Sequence, residues 1–330
     1  MKIGVLGDGG WGTALAVLLS NKGYDVSLWG IFKENIDAIN NNKENKKFLP
    51  GVKIPPSIQV SCDLKASVSG RDLVVLAIPS RFLREVLDKN KDIFNGIDPI
   101  YVSVVKGLED KTLKRMSQVI DEILGDVKLC VLSGPSIAPE VARNIPTTVV
   151  ISSNKKDLDL KIRDVFGTER FRVYTNNDLV GVELGGSLKN IIAIAVGISD
   201  GLGFGANTKA ALLTRGLIEM SRLGERLGAY PETFNGLTGL GDLITTSISK
   251  EGRNRGFGEE IGKGKDPKEF LKNSVMEIEG AWSVKAAVEL GKRHNIDLPI
   301  TKEVYSVIFE NKSPLLAVKE LMTRELKAEQ

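Results

Sequence analysis

The sequence predicts an α/β fold in which a doubly wound, mostly parallel sheet over residues 1–177 is followed by an all-α C-terminal domain over residues 178–330. Three observations lead there. Up to about Val150, short runs rich in Val, Ile and Leu recur between segments of helical pattern, as buried parallel strands and their crossover helices do. The first run leads directly into Gly7-Asp8-Gly9-Gly10-Trp11-Gly12, which opens a helix-patterned stretch. After Tyr174 the strand-like runs stop, and long segments with helical spacing of Ala, Leu, Ile and Val take over.

The clearest strands are Ile3–Leu6, Val26–Trp29, Leu73–Ile78, Ile100–Val105, Lys128–Leu132 and Thr148–Ser152. Between the second and third, Asn40 to Ser57 is rich in Asn, Lys and Pro without period, and reads as an irregular surface insertion. In the second half, Leu179–Ser199, Thr208–Leu227, Ser283–His294 and Leu315–Ala328 read as helices.

The glycine turn fits G-x-G-x-x-G in the context that gives this motif its meaning, between an apolar strand and a helix. Gly7 permits the tight turn, Gly9 lets backbone approach a pyrophosphate, and Gly12 allows helix and strand to pack closely. Gly10 and Trp11 lie at the start of a helix whose free N–H groups and positive dipole end suit an anion. These features predict a Rossmann-like dinucleotide site. The acid that usually follows the second strand of an NAD site is missing, since Gly30-Ile31-Phe32-Lys33 comes after Trp29. Lys33 tips the reading towards NADP, with NAD left open, although a lysine at the start of an exposed helix is commonly just solvated. Glu34 is expected in a helix first turn.

Charge and composition narrow the partners. The 45 Lys and Arg against 42 Asp and Glu leave +3, too balanced for a general polyanion-binding surface, so no nucleic-acid partner is expected. Only Cys62 and Cys130 are present, which rules out a disulfide framework, and a single histidine, His294, rules out a histidine-rich metal site. No metal is expected. The N-terminal apolar run ends at the glycine turn too early for a signal-peptide core, and Ile191–Ile198 falls far short of the ~20 residues that span a bilayer. A cytoplasmic protein without membrane insertion is the expectation.

Candidate chemistry lies where open α/β sheets place ligands, beyond the carboxyl ends of strands. Lys106-Gly107 ends one apolar strand, Gly134-Pro135-Ser136 follows another, and Pro79-Ser80 closes a third. Lys189 stands in Val182-Glu183-Leu184-Gly185-Gly186-Ser187-Leu188-Lys189-Asn190, a small and apolar helical stretch. Burial and nearby cations would depress its pKa from about 10.4 and let it exchange a proton near neutrality. Alternatively, its stem carries the charge to the surface. Gly239-Leu240-Gly241-Asp242 offers a carboxylate in a glycine-flanked turn, and Gly252-Arg253-Asn254-Arg255-Gly256 offers guanidiniums suited to a phosphate.

In order and over nearly the whole chain, these segments resemble the bacterial type of NAD(P)-dependent glycerol-3-phosphate dehydrogenase. The resemblance rests on Gly7–Gly12 with Thr13-Ala14, Val105-Lys106-Gly107-Leu108-Glu109, and Ser133-Gly134-Pro135-Ser136 with Ala138 and Glu140. It continues through Glu183–Asn190, Asp200–Ala210, Thr238–Asp242, and Arg253–Gly258. It implies interconversion of sn-glycerol 3-phosphate and dihydroxyacetone phosphate, supplying glycerol 3-phosphate for glycerophospholipid synthesis, by a homodimer. Lys189 would be the proton acceptor, with Lys106 and Asp242 completing the catalytic group. Lys106, Gly134, Ser136, Lys189, Asp242, Arg253 and Asn254 would contact substrate, with Arg253 and Asn254 near its phosphate. Trp11, Lys106, Ala138, Arg253 and Glu279 would line the cofactor side, although Glu279 would serve equally as a helix-capping acid. Ile31 and Phe32 stand where family members commonly carry Arg or His, and Gly252 where a Ser often precedes the Arg-Asn pair.

Two rivals remain. A 3-hydroxyacid or 6-phosphogluconate dehydrogenase shares the layout and a helix lysine, but does not explain Gly239–Asp242 together with Arg253–Arg255. A redox-sensing binding module that has lost its chemistry would not need Lys106, Lys189 and Asp242.

Overall fold

The computed structural model describes residues 1–326 and 328. Eight strands form one sheet: β1 (Lys2–Leu6), β2 (Asp25–Trp29), β3 (Gln59–Ser61), β4 (Leu73–Leu76), β5 (Ile100–Ser103), β6 (Lys128–Ser133), β7 (Thr147–Ser153) and β8 (Phe171–Thr175). Their order is β3-β2-β1-β4-β5-β6-β7-β8, parallel throughout except where β7 runs antiparallel to β6. The chain winds outward from β1 to β3 and then returns to place β4 on the other side of β1. This reversal leaves a crevice beyond the carboxyl ends of β1 and β4.

Alternation divides the strands between two faces. Ile3 and Val5 of β1 pack with Leu73 and Val75 of β4 on one side, and Leu6 packs with Val74 and Leu76 on the other. Each fully buried Val or Leu of this kind stabilises the fold by about 1.5–3 kcal/mol.

Two strands escaped the sequence reading, for one reason. β3 and β8 are the sheet edges, covered on one face only, so their apolar residues alternate with polar ones over three and five residues. Two others are shorter than expected: Ala77-Ile78 and Val104-Val105 leave the ladder, while Ile78, Val104 and Val105 remain buried. They carry the chain from strand end to Pro79-Ser80 and to Lys106.

The second half packs around one helix, Leu179–Gly201, which is buried at every residue from Gly181 to Ser199. Asp178 caps it by accepting from the Gly181 N–H at 2.8 Å. The helix is long and apolar enough to cross a membrane, more than its Ile191–Ile198 core suggested, because small residues extend the run. It lies instead inside the protein, with 89% of its most apolar window buried. Its Glu183 accepts from the Arg115 guanidinium and from the Ser117 N–H and hydroxyl, each at 2.7 Å, which ties it to the start of helix Met116–Leu124. Helices Ala206–Arg226, Arg253–Gly262, Glu279–Arg293 and Pro299–Phe309 surround it. The last helix, Pro314–Met322, ends before the expected Ala328. Leu326 beyond it is 96% exposed, and Lys327, Glu329 and Gln330 lie outside the described residues.

Candidate active site

The turn after β1 has the geometry of an anion cradle. Gly7 has φ +123°, and a Cβ there would lie 2.5 Å from the Ala77 carbonyl oxygen, while one at Gly12 would lie 1.9 Å from that of Gly7. Helix Gly10–Asn21 then begins with no side-chain cap and no acid in its first turn. Its first bond is Thr13 N–H to Gly9 O at 2.9 Å, so the N–H groups of Gly10, Trp11 and Gly12 find no backbone acceptor among the described residues. A Cβ on Gly9 would meet nothing within 4 Å. Free donors facing open space fit the pyrophosphate of a dinucleotide. Ala138 packs beside this turn, 3.8 Å from where a Gly10 Cβ would be. Lys33 does not join it: its side chain is 80% exposed and its ammonium is paired with Asp37 at 2.8 Å. Glu34 lies in the first turn of helix Lys33–Asn42, as expected.

Beyond β5 and β6 the sequence candidates converge. The Lys106 ammonium donates to Gly134 O at 2.8 Å, Ser136 Oγ at 2.9 Å and Asp242 Oδ2 at 2.8 Å. Lys189, from the middle of the buried helix, donates to Asp242 Oδ1 at 2.7 Å and to Thr246 Oγ1. Close approach of these elements depends on Gly186, where a Cβ would lie 2.4 Å from Ser133 Oγ and 3.4 Å from Lys106 Cγ. Asp242 enters the cluster directly after a π-helical turn, Leu237–Gly241.

Lys189 is 6% exposed and Asp242 1%, so the lysine stem does not carry its charge to the surface. Burial lowers the Lys189 pKa, the Asp242 carboxylate raises it, and Lys106 and Arg253 lower it again, leaving it at about 8. For Asp242, burial acts upward, but the two ammoniums outweigh it and hold the carboxyl below its ordinary range. An ammonium has three donors. Those of Lys106 are all engaged, whereas Lys189 keeps one without a partner among the described residues.

A chain of amides ties this cluster to the helices. Asn190 Nδ2 donates to Lys106 O at 3.1 Å, Asn254 Nδ2 to Asn190 Oδ1 at 2.9 Å, and Gly280 N–H to Asn254 Oδ1 at 3.0 Å. Asn254 is thus buried and fully oriented. Arg253 beside it is exposed, held by one 3.3 Å bond to Glu277 O. Arg255, the second guanidinium of this segment, is taken by Asp200 at 2.8 Å and Glu259 at 3.0 Å. Glu279, in the first turn of its helix, accepts from the Ser80 N–H at 3.0 Å and from its hydroxyl, reaching the end of β4.

The structure therefore gathers Lys106, Gly134, Ser136, Lys189 and Asp242 into one cluster and links Asn254 to it. It sets Gly7, Gly9, Gly10, Trp11, Gly12 and Ala138 around the turn, and leaves Lys33 outside. Asn190 and Thr246 carry no site role in the sequence reading, whereas Ser80 stands there only as a strand-end candidate. Thr246 is accessible from its i, i+4 spacing to Asp242 on helix Asp242–Ile248, whereas Asn190 gains its role only through distant partners.

Comparison with known proteins covers the whole chain. Residues 2–159 match the family model for the NAD-dependent glycerol-3-phosphate dehydrogenase N-terminus, and residues 178–319 match that for its C-terminus. A glycerol-3-phosphate dehydrogenase [NAD(P)+] of Thermoanaerobacter sp. (strain X514) is 51% identical over 330 residues, covering 100% of this chain and 99% of that protein. One from Fusobacterium nucleatum is 46% identical over 331 residues, covering 100% and 98%. The crystal structure of glycerol-3-phosphate dehydrogenase from Coxiella burnetii superposes with a TM-score of 0.94 at 40% identity, over 98% of this chain and 99% of that one.

Proposed function

The chain belongs to the NAD-dependent glycerol-3-phosphate dehydrogenase family and is an NAD(P)-dependent enzyme of that activity, and on that premise we propose that Lys189 is its proton-transfer group. Bound nicotinamide supplies hydride exchange at C2 of the substrate. In oxidation, neutral Lys189 takes the C2 hydroxyl proton as C2 becomes a carbonyl; in reduction, its ammonium returns that proton to the forming alkoxide. A general acid and base so placed contributes about 10²–10⁴-fold. Asp242 orients both ammoniums, and Lys106 stabilises the developing oxygen charge after giving up its bond to Ser136. Gly134 and Ser136 border the substrate, and Arg253 with Asn254 faces its phosphate. The unengaged N–H on Lys189, beside a carboxylate that already holds its other side, carries this assignment.

The cofactor side of the proposal comprises Gly7–Gly12, Ala138, Glu279 and the exposed Arg253, with residues 1–177 as the nucleotide domain and 178–330 as the substrate and catalytic domain. We further place the enzyme in the cytoplasm, as a homodimer supplying glycerol 3-phosphate for glycerophospholipid synthesis. Both cysteines are free thiols, which suits a reducing compartment. The experiment is an assay of purified protein with dihydroxyacetone phosphate and NADH or NADPH, followed by loss of reduced-nicotinamide absorbance. Oxidation of neither cofactor defeats the reading.

A further inference from the structure

We propose that Asp8, on the glycine turn, supplies the acid that β2 lacks, reading the adenosine ribose and making this enzyme prefer NAD(H) to NADP(H). The inference rests on the NAD(P) reading above and goes beyond it by naming the discriminating residue. In dinucleotide sites of this architecture, a carboxylate beyond the second strand accepts from the ribose 2′-hydroxyl, and a 2′-phosphate needs a cation there instead.

The Asp8 carboxyl occupies that place. A Cβ built on Gly30, the first residue beyond β2, would lie 2.4 Å from Asp8 Cγ and 2.5 and 2.8 Å from its two oxygens. Glycine at position 30 leaves the volume of a strand-end side chain to an acid arriving from the neighbouring turn. The acid is held firmly. Its Oδ2 accepts from Asn35 Nδ2 at 2.6 Å, and its main-chain oxygen accepts from Asn45 Nδ2 at 2.7 Å and Thr13 Oγ1 at 3.2 Å. Oδ1 accepts from no other residue among the described residues, which leaves an acceptor for a ribose hydroxyl. Asp8 is 7% exposed; burial raises its pKa, opposed by the Asn35 amide and the Lys47 ammonium.

The surroundings offer a 2′-phosphate lysines but no net positive charge. Asn35 also lines an open cleft of about 350 Å³, whose charged residues are Glu34, Glu44, Lys46 and Lys47. Two acids balance two lysines, no arginine is among them, and Asp8 behind Asn35 tips the sum negative. Lys33, the nearest cation in sequence to the end of β2, is paired with Asp37. A 2′-phosphate would bring about two further negative charges to this place.

The test is equilibrium titration of nicotinamide fluorescence, without substrate, for the wild-type protein, Asp8→Asn and Asp8→Ala, each with NADH and NADPH. The expected result is a wild-type Kd at least about tenfold lower for NADH, with the ratio falling to within about threefold in the variants through tighter NADPH binding. Equal or tighter NADPH binding by the wild type overturns the proposal whether or not the variants fold. So does an unchanged ratio in variants that melt at the wild-type temperature. If the wild type binds neither cofactor, the NAD(P) reading itself fails and this inference falls with it.

Discussion

Lys189 Nζ lies 2.7 Å from Asp242 Oδ1, and both side chains are buried. Removing the ammonium while keeping an unbranched apolar stem leaves Asp242 still paired with Lys106 at 2.8 Å. Lys189→Met should therefore fold, with cofactor titration unchanged, and lose about 10²–10⁴-fold in kcat in both directions. Near-normal turnover would remove Lys189 from the mechanism.

The same depressed pKa sets a pH dependence whose sign differs between directions. Lys189 titrates at about 8, so below that pH it is an ammonium ready to donate, and above it a neutral amine ready to accept. The rate of glycerol 3-phosphate oxidation should rise about tenfold per pH unit towards pH 8 and then level off. Reduction should be flat below about pH 8 and fall above it. Paired profiles under saturating substrate and cofactor check this, and oxidation that is flat between pH 6 and 9 contradicts it.

Asp242→Asn keeps the shape of the side chain but leaves the buried Lys189 and the half-buried Lys106 without their shared counter-charge. Loss of a partner from a buried ion pair costs about 3–5 kcal/mol, to be read from urea denaturation. Any protein that remains folded should show its acid limb moved below pH 8, because the charge that raises the Lys189 pKa is gone.

Arg253 is exposed and makes one 3.3 Å bond, so Arg253→Ala should change stability by no more than about 0.5 kcal/mol. If its guanidinium meets the substrate phosphate, KM for dihydroxyacetone phosphate should rise about 10–100-fold, the scale of a lost charge-assisted hydrogen bond. Turnover of unphosphorylated dihydroxyacetone should not change. Equal losses with both substrates would place Arg253 elsewhere.

Glu183 has no exposed side-chain surface and holds Arg115 and Ser117 at the start of helix Met116–Leu124. Glu183→Ala strands the Arg115 guanidinium and the Ser117 donors, and should destabilise the protein by about 3–5 kcal/mol in denaturant melts. A loss below about 1 kcal/mol would show that the helix is positioned by apolar packing alone.

Much of this architecture was legible because it is local. Six strands and the glycine turn announce themselves by runs of Val, Ile and Leu and by turn chemistry. The Leu179–Gly201 helix does so by twenty-odd residues of small and apolar side chains, since a helix buried on all sides has no polar face to interrupt it. The edge strands β3 and β8 were not legible, because half-covered strands of three to five residues leave little pattern.

The sequence by itself determined the fold class, the cofactor turn and the identity of the residues that could carry charge into the site. Tertiary structure alone decided which of them meet. Asp242 joins Lys189 from 53 residues away and Lys106 from 136, and Asp8 fills the space that Gly30 leaves. Likewise, Arg255 and Lys33 carry the charge a phosphate would want, yet other carboxylates engage them. Local propensities act over a few residues, whereas these pairings follow from packing between sheet and helices, which brings together side chains that no spacing along the chain relates.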